Sequence, residues 1–183
     1  MVFISQELDD KKKSNFDQIY VNNYNKEQII LDPINGYKIF IPQNILEKII
    51  KEIEKSDKKH NPAQETGGLI FGEWDDLTRS VYINEVSGPP ADSKSSRNHF
   101  DCGVKGTKEL NDKLKARYRG SIYFIGLWHS HPFGSATYSG EDKASMHLVV
   151  TKLSPPKSLL LIVAYDRDNY ALGGFVFNKS QIN

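Results

Sequence analysis

The sequence has 183 residues, of which 38% are hydrophobic and 26% charged, and this balance supports a folded domain rather than a disordered chain. Lysine and arginine together number 24 against 23 aspartates and glutamates, so no overall positive charge favours nucleic acid as the main partner. The longest apolar run, residues 159–165, is far shorter than the roughly 20 residues that a membrane span needs.

The segment before residue 29 is rich in Lys, Asp, Asn and Gln and has no sustained hydrophobic period. This composition predicts a polar N-terminal arm over residues 1–28, loosely attached or ordered by a partner, and one domain over residues 29–183. An acidic pair precedes the first lysines with no apolar segment after them, and the single cysteine, Cys102, excludes an internal disulfide. We therefore expect a cytoplasmic protein with neither a membrane nor a nucleic acid as its partner.

The first half of the domain predicts a strand, a helix and a hairpin. Residues 37–41 alternate like a short strand that Pro42 closes. An amphipathic helix follows, with Asn44 as its expected N-cap and with apolar residues at helical spacing: Ile45, Leu46, Ile49, Ile50 and Ile53. Residues 67–72 and 81–83 then predict two strands that are joined by a turn around Asp75 and Asp76.

The second half adds two helices and three strands to this pattern. After an irregular Ser-rich loop through Ser96, the spacing of Leu110, Leu114 and Tyr118 predicts a second helix. Residues 121–128 predict a buried strand, a third helix is expected to start near Ser139, and two strands at 159–165 and 170–177 flank a turn. The fold class predicted is α+β, a mixed β-sheet packed by about three helices.

The chemistry lies in the sequence His129-Ser130-His131-Pro132. On an extended backbone the side chains at positions i and i+2 point to the same side, so both imidazoles can converge on one ion. Pro132 cannot donate to a sheet ladder, which favours the strand ending there. A carboxylate from the next helix, at Asp142, completes three ligands and leaves a fourth position open for water, as catalytic zinc requires.

Each of these residues also has a purely structural interpretation. Ser139 and Asp142 fit a helix capping box, in which both side chains satisfy amides of the first turn. The two histidines can simply end a surface strand, and Glu65, after a polar stretch, can be an exposed loop carboxylate. The capping interpretation and the metal interpretation of Asp142 are compatible, because a cap would hold the carboxylate in place.

The combination is more specific than its parts. His-x-His, seven residues and then Ser-x-x-Asp resembles the signature of the JAMM metalloprotease family, also called MPN or JAB domains. That family also requires an upstream glutamate near the start of a strand, which Glu65 in the block Glu-Thr-Gly-Gly-Leu-Ile-Phe-Gly supplies. The resemblance runs in order through most of residues 39–177. It implies a JAMM-like core of the cytidine-deaminase-like type.

The resemblance also implies roles for individual residues. His129, His131 and Asp142 would ligate one zinc ion per chain, and Glu65 would act as general base on the water that the ion activates. Ser139 would stabilise the oxyanion of the tetrahedral intermediate. The remaining histidines, His60, His99 and His147, fit no ligand spacing and are expected to be local or surface residues. Trp128 and Cys102 receive no catalytic role.

Family resemblance further implies a substrate. JAMM proteins commonly cleave the isopeptide bond between the C-terminus of a ubiquitin-like protein and a lysine, and the chain looks most like bacterial members encoded beside E1-like and E2-like enzymes in antiphage operons such as CBASS. A nucleotidyltransferase or another conjugated protein is then the expected partner. Two alternatives remain open: a catalytically silent MPN scaffold, and a RadC-like protein of the same superfamily associated with DNA repair.

Overall fold

The computed structural model describes residues 36–152, 157–167 and 169–179, together with the backbones of three short strands nearer the N-terminus. Within these residues the chain forms eleven strands and three helices. The strands are β1 (Val2–Ile4), β2 (Tyr20–Val21), β3 (Gln28–Asp32), β4 (Lys38–Pro42), β5 (Gly67–Asp75), β6 (Ser80–Val86), β7 (Lys94–Ser96), β8 (His99–Asp101), β9 (Tyr123–Pro132), β10 (Lys157–Asp166) and β11 (Asn169–Asn178). The helices are α1 (Gln43–Asp57), α2 (Thr107–Arg117) and α3 (Gly140–Lys152).

Nine strands form one mixed sheet in the order β1-β11-β10-β9-β5-β6-β4-β3-β2, and β7 and β8 form a separate two-stranded ribbon. The pairs β9–β10 and β4–β6 are parallel, whereas β5 is antiparallel to both of its neighbours, β9 and β6. The α+β class with a mixed sheet and three helices is thus confirmed. So is the hairpin of β5 and β6, which turns at Asp75 and Asp76.

The helices lie on opposite faces of the sheet because its inner strands are apolar on both faces. Along β10 the alternate residues Leu159, Leu161 and Val163 belong to the core that the apolar stripe of α1 completes. Leu160 and Ile162 point the other way and pack with Met146 and Val150 of α3. Leu114 of α2 packs beside α3 on that same face, against Leu69 and Phe71 of β5. This arrangement explains why β10 is an unbroken apolar run rather than an alternating one.

Two expectations about local structure are wrong. Asn44 is not the N-cap of α1, because the helix already begins at Gln43 with Pro42 in the N-cap position and no side-chain cap. Proline fits there because the φ of −59° and the extended ψ of 145° at this N-cap are values that the proline ring allows. The Ser-rich loop is not wholly irregular either, because Lys94–Ser96 pairs with His99–Asp101. All six residues are polar except Phe100, so no alternation announces these strands.

Parts of the predicted N-terminal arm take part in the sheet. Val2–Ile4 pairs with β11, and Tyr20–Val21 pairs with β3. Gln28 already belongs to β3, and the rest of residues 1–27 lies outside the described residues, so the boundary between arm and domain at residue 28 stays a prediction. None of the helices in the described part of the chain has the length and apolar character that crossing a membrane requires.

Gly126 lies opposite Leu159 in the parallel pair of β9 and β10, three residues before His129 on the strand that carries both histidines. A Cβ at Gly126 would lie 1.9 Å from the carbonyl oxygen of Leu159, its partner across the parallel pair. A clash with backbone cannot be relieved by a rotamer change, so the strands would have to separate.

We expect Gly126→Ala to lower the free energy of unfolding by about 3 kcal/mol, which corresponds to a fall in melting temperature on the order of 10 °C. The matched control is Gly140→Ala, because a Cβ at that helical position meets nothing within 4 Å. Differential scanning fluorimetry of the two variants measures the difference. Equal melting temperatures would contradict the close approach of β9 and β10.

Candidate metal centre

The two motif histidines project from the C-terminal end of β9, which is an inner strand of the sheet. His129 and His131 stand opposite Ile162 and Ala164 of β10, and the strand ends at Pro132 as expected from the sequence. Their Nε2 atoms lie 2.9 Å apart, and their ring centroids are separated by 4.8 Å. The i, i+2 spacing therefore brings both imidazole nitrogens to one point.

The backbone of the following turn sets the tautomer of His131. Its Nδ1 lies 2.8 Å from the carbonyl oxygen of Ser135, which can only accept, so Nδ1 carries the proton and donates it. Nε2 is then left with a lone pair that faces His129. An outer hydrogen bond of this kind from a histidine to a carbonyl is the usual support of a metal-ligating imidazole.

His129 is held in its neutral form by burial. Only 6% of the residue is exposed, and burial lowers the pKa of its imidazole because the charged ring would lose its hydration. Asp142 opposes this shift, whereas His131 adds to it. A neutral ring at neutral pH offers the lone pair that a metal ion needs.

Asp142 satisfies both interpretations that the sequence allows. The backbone N–H of Ser139 donates to Oδ2 of Asp142 over 2.7 Å, and the backbone N–H of Asp142 donates to Oγ of Ser139 over 3.1 Å, so the pair caps α3. The same carboxylate faces the histidines: Oδ1 lies 3.3 Å from Nε2 of His129, and Oδ2 lies 3.8 Å from Nε2 of His131.

Pairing between the segment before β5 and the end of β9 places Glu65 beside the histidines, although Glu65 and His129 are 64 residues apart in sequence. The backbone N–H of Ser130 donates to the carbonyl of Thr66 over 2.7 Å, and Oγ of Ser130 accepts from the N–H of Thr66 over 3.0 Å. Glu65 itself donates its backbone N–H to the carbonyl of Ser96 in β7 over 2.9 Å. Its Oε1 then lies 3.9 Å from Nε2 of His131.

Glu65 is buried rather than exposed, with 8% of the residue accessible. The pKa of its carboxyl is raised to about 7, chiefly by burial and also by the negative charges of Asp142 and Glu141, against the lowering effect of His99. A carboxyl with a pKa near 7 is suited to accept and return a proton at neutral pH.

The donor set fits a divalent cation of the zinc type. Four ligands at ~2.0–2.2 Å around a tetrahedral ion lie roughly 3.3–3.6 Å from one another. The two Nε2 atoms are 2.9 Å apart, and the carboxylate of Asp142 lies 3.3 Å from His129 through Oδ1 and 3.8 Å from His131 through Oδ2. Glu65, His129 and His131 form a second group, whose donor atoms all lie within 4.8 Å of one another. Imidazole nitrogens with carboxylate oxygens are ordinary zinc ligands.

A cavity of about 220 Å³ adjoins the cluster and is lined by His129 and Asp142. It shares Cys102, Leu127 and Val149 with a larger apolar groove of about 400 Å³ over β5, β9 and α2. Leu127 precedes His129 by two residues, so the groove runs back along β9 away from the histidines. An extended segment that ends at the cluster can therefore continue into the groove.

The residues without an assigned role lie largely where the sequence suggests. Trp128 is buried and donates its Nε1–H to the carbonyl of Ser87 over 2.9 Å. Burial raises the pKa of the Cys102 thiol to about 11, so it is protonated at neutral pH. His147 packs edge-on against Phe177 with ring centroids 6.0 Å apart. His60 lines a small cavity beside the C-terminal end of α1.

Three features of the site carried no usable signal in the sequence. His99 lines the mouth of the cavity, where its Nδ1 lies 3.2 Å from Oε2 of Glu141 and its Nε2 lies 3.4 Å from Oδ1 of Asp101. Ser130, the unspecified middle residue of the histidine motif, anchors Thr66 through its hydroxyl. The carbonyl of Ser135 sets the tautomer of His131, and a backbone group leaves no mark on composition.

Residues 43–172 match the family model described as prokaryotic homologues of the JAB domain. A relative from Enterobacter hormaechei subsp. hoffmannii (strain UCI 50), named CD-NTase/cGAS isopeptidase, is 36% identical over 110 residues, which are 60% of this chain and 57% of the relative. One of the same name from Escherichia coli (strain TW11681) is 23% identical over 107 residues, 58% of this chain and 64% of the relative. The alignments thus span less than two thirds of either relative.

The solution structure of protein DSY2949 from Desulfitobacterium hafniense is similar in fold, with a TM-score of 0.50 and 20% sequence identity. The alignment covers 75% of this chain and 83% of that protein. At this identity the likeness concerns the architecture of the sheet and helices and carries no information about the site.

The two overlapping donor groups predict different metal contents for matched variants. If His129, His131 and Asp142 are the ligands, Asp142→Asn weakens zinc binding roughly 100-fold or more, whereas Glu65→Gln retains one zinc per chain. Both changes remove one carboxylate charge and keep the side-chain shape, and an asparagine oxygen can still accept from Ser139. Inductively coupled plasma mass spectrometry after dialysis measures the metal, and the reverse pattern would make Glu65 the third ligand.

Proposed function

Because the chain belongs to the family of prokaryotic homologues of the JAB domain, we propose that it is a zinc-dependent isopeptidase that releases a conjugated protein from a lysine of its target. The observation that carries the proposal is the buried carboxylate of Glu65, which faces the convergent donor atoms of His129, His131 and Asp142. A general base beside a three-ligand metal site is the arrangement that metal-assisted amide hydrolysis needs.

The names of the two relatives support the substrate class. Both are called CD-NTase/cGAS isopeptidase, and the chain aligns with only part of each. We infer that the substrate is a ubiquitin-like or otherwise C-terminally conjugated protein, with a nucleotidyltransferase as the first candidate. The proposed setting is a bacterial antiphage system of the CBASS type, in the cytoplasm, with E1-like and E2-like enzymes as the source of the conjugate.

One zinc ion per chain, held by His129, His131 and Asp142, would supply a Lewis acid for the scissile carbonyl and lower the pKa of the attacking water. Glu65 takes the proton of that water, for which its raised pKa is suited, and returns it to the departing lysine amine. The Ser139 hydroxyl already accepts from the N–H of Asp142, so its own proton is free to be donated to the developing oxyanion.

The groove beside the site suits the acyl side of such a bond. An extended peptide advances ~3.3 Å per residue, so a C-terminal tail whose last carbonyl reaches the cluster would lay several residues over Leu127, Phe124 and Phe71. The lining of the groove is largely apolar, and Lys108 and Lys152 stand at its side. This surface favours a tail with apolar side chains upstream of the cleaved bond.

A catalytically silent scaffold is the poorer interpretation. Burying the carboxylate of Glu65 beside Asp142 is electrostatically unfavourable, as the raised pKa of Glu65 indicates, and a scaffold gains nothing from it. Ionisable groups with strongly perturbed pKa values are concentrated at functional sites.

The decisive variant for the mechanism is Glu65→Gln. We expect it to bind zinc and to fold like the native chain, yet to lose 10²–10⁴-fold in kcat, because the amide cannot accept the proton. The substrate is a conjugate formed by coexpressing E1-like and E2-like enzymes of the proposed antiphage system with their modifier protein, and cleavage is followed by gel shift and intact-mass spectrometry. A sample treated with chelator and then with zinc provides the control for metal dependence.

Cleavage by Glu65→Gln at the native rate would exclude Glu65 as the base. Stoichiometric zinc without cleavage of the conjugate by the native chain would instead support the scaffold interpretation.

The role of Ser139 is separable from its role as a helix cap. Ser139→Gly removes the hydroxyl but leaves an acceptable N-cap, so we expect a loss of only a few tenths of a kcal/mol in stability. On the same conjugate we expect a fall of about 10²-fold in kcat, because one oxyanion donor is lost. Ser139→Thr keeps both functions and is the matched control. If Ser139→Gly retains native kcat, the hydroxyl acts only as a cap.

A further inference from the structure

Phe133 is an exposed aromatic residue in a backbone conformation that aromatic residues rarely adopt. It follows Pro132 directly, its φ is +56°, and 63% of the residue is exposed. The other non-glycine residues with positive φ in the described part of the chain are the arginines Arg79, Arg119 and Arg167, all exposed and polar. Phe133 is thus the apolar exception among them.

The local backbone holds Phe133 in this conformation. Its N–H donates to the carbonyl of Tyr165 over 2.7 Å, and the N–H of Gly134 returns to the carbonyl of His131 over 3.3 Å. A left-handed conformation and an exposed ring both disfavour phenylalanine at this position. Observed backbone strain beside a reactive centre is a reason to look for a function of the side chain.

The position of Phe133 relative to the cavity suggests which part of the substrate it meets. The cavity and the groove run from His129 along β9 and are bounded by α2 and α3, and Phe133 is not among the residues that line them. Phe133 instead belongs to the turn after His131, at the other end of the motif. A chain that enters through the groove and crosses the cluster leaves the site on the side of this turn.

We propose that Phe133 forms the binding surface for the aliphatic stem of the lysine from which the conjugated protein is released, and so determines specificity for isopeptide bonds. This inference rests on the proposed isopeptidase function. A lysine stem presents four methylene groups between its Cα and the amide, and contact with an aromatic ring removes part of that apolar surface from water. A short leaving group has no such stem.

The test compares two amides with identical acyl groups. One pool of randomised acetylated hexapeptides is joined through its C-terminus to the ε-amine of Nα-acetyl-lysine amide, and a second pool is joined to methylamine. Mass spectrometry of both pools in one reaction gives the ratio of their kcat/KM values. We expect Phe133→Asn to lower the lysine-to-methylamide ratio five- to tenfold, and Phe133→Leu, which keeps an apolar side chain, to restore most of it.

Two exposed leucines provide matched controls. Leu77, in the turn between β5 and β6, is 95% exposed, and Leu77→Asn is expected to leave both rates unchanged. Leu148 is 64% exposed but lines the cavity, so Leu148→Ala is expected to change both rates in parallel and to preserve their ratio. A parallel loss in Phe133→Asn would place Phe133 on the acyl side and overturn the proposal.

The melting temperature gives a second readout that does not depend on activity. Asparagine adopts the left-handed conformation more easily than phenylalanine, so Phe133→Asn should melt at the native temperature or a few degrees above it. A clear fall would mean that the ring stabilises the fold, and it would overturn the proposal. If the native chain with zinc cleaves neither pool nor the conjugate, the proposed function fails and the role of Phe133 fails with it. Cleavage of both pools with an unchanged lysine-to-methylamide ratio in Phe133→Asn would overturn the role of Phe133 alone.

Discussion

The two hydrogen bonds between Thr66 and Ser130 fix the distance between the base and the histidines. They set the antiparallel register of β5 on β9, in which Gly67 stands opposite His129. A slip by one residue would turn every side chain of the shifted strand to the other face of the sheet. Glu65 lies two residues before β5 and both histidines lie in β9, so the base meets them only when this register is correct. The glycines at the start of β5 permit the close approach, since a Cβ at Gly67 would lie 2.4 Å from the carbonyl oxygen of Trp128.

At the start of α3, the carboxylate of Asp142 both caps the helix and faces the histidines. Ser139 and Asp142 cap the helix reciprocally, and this leaves Oδ1 of Asp142 directed at His129. A carboxylate near a helix N-terminus is also favoured by the partial positive charge of the first-turn amides. The capping box therefore orients a ligand that a flexible loop would hold less well. Rigid support of this kind is what a catalytic metal site requires of its protein.

Local patterns in the sequence predict local features well and distant ones poorly. Both histidines, the strand end at Pro132 and the cap at Ser139 follow from spacings of two or three residues, and the structure has them. Glu65 lies 64 residues before His129, so its place beside them was suggested by family resemblance and by no periodicity. The polar residues before Glu65 favour an exposed side chain, whereas the structure buries it. The ribbon of β7 and β8 was missed because its polar strands carry no alternation, although the carbonyl of Ser96 positions Glu65.

The carboxylates of Glu65 and Asp142, beside the two histidines, favour a cation at the centre of the cluster. Glu65 is buried and Asp142 is partly buried beside it, and the charge of Asp142 raises the pKa of Glu65. The Nε2 lone pair of His131 faces Nε2 of His129, since Nδ1 of His131 donates to Ser135, and burial lowers the pKa of His129. Without a positive charge this arrangement costs free energy, because neighbouring desolvated carboxylates repel each other. A divalent cation at the centre would offset this repulsion. On this view the ion that the proposed reaction needs also contributes to the stability of the folded chain.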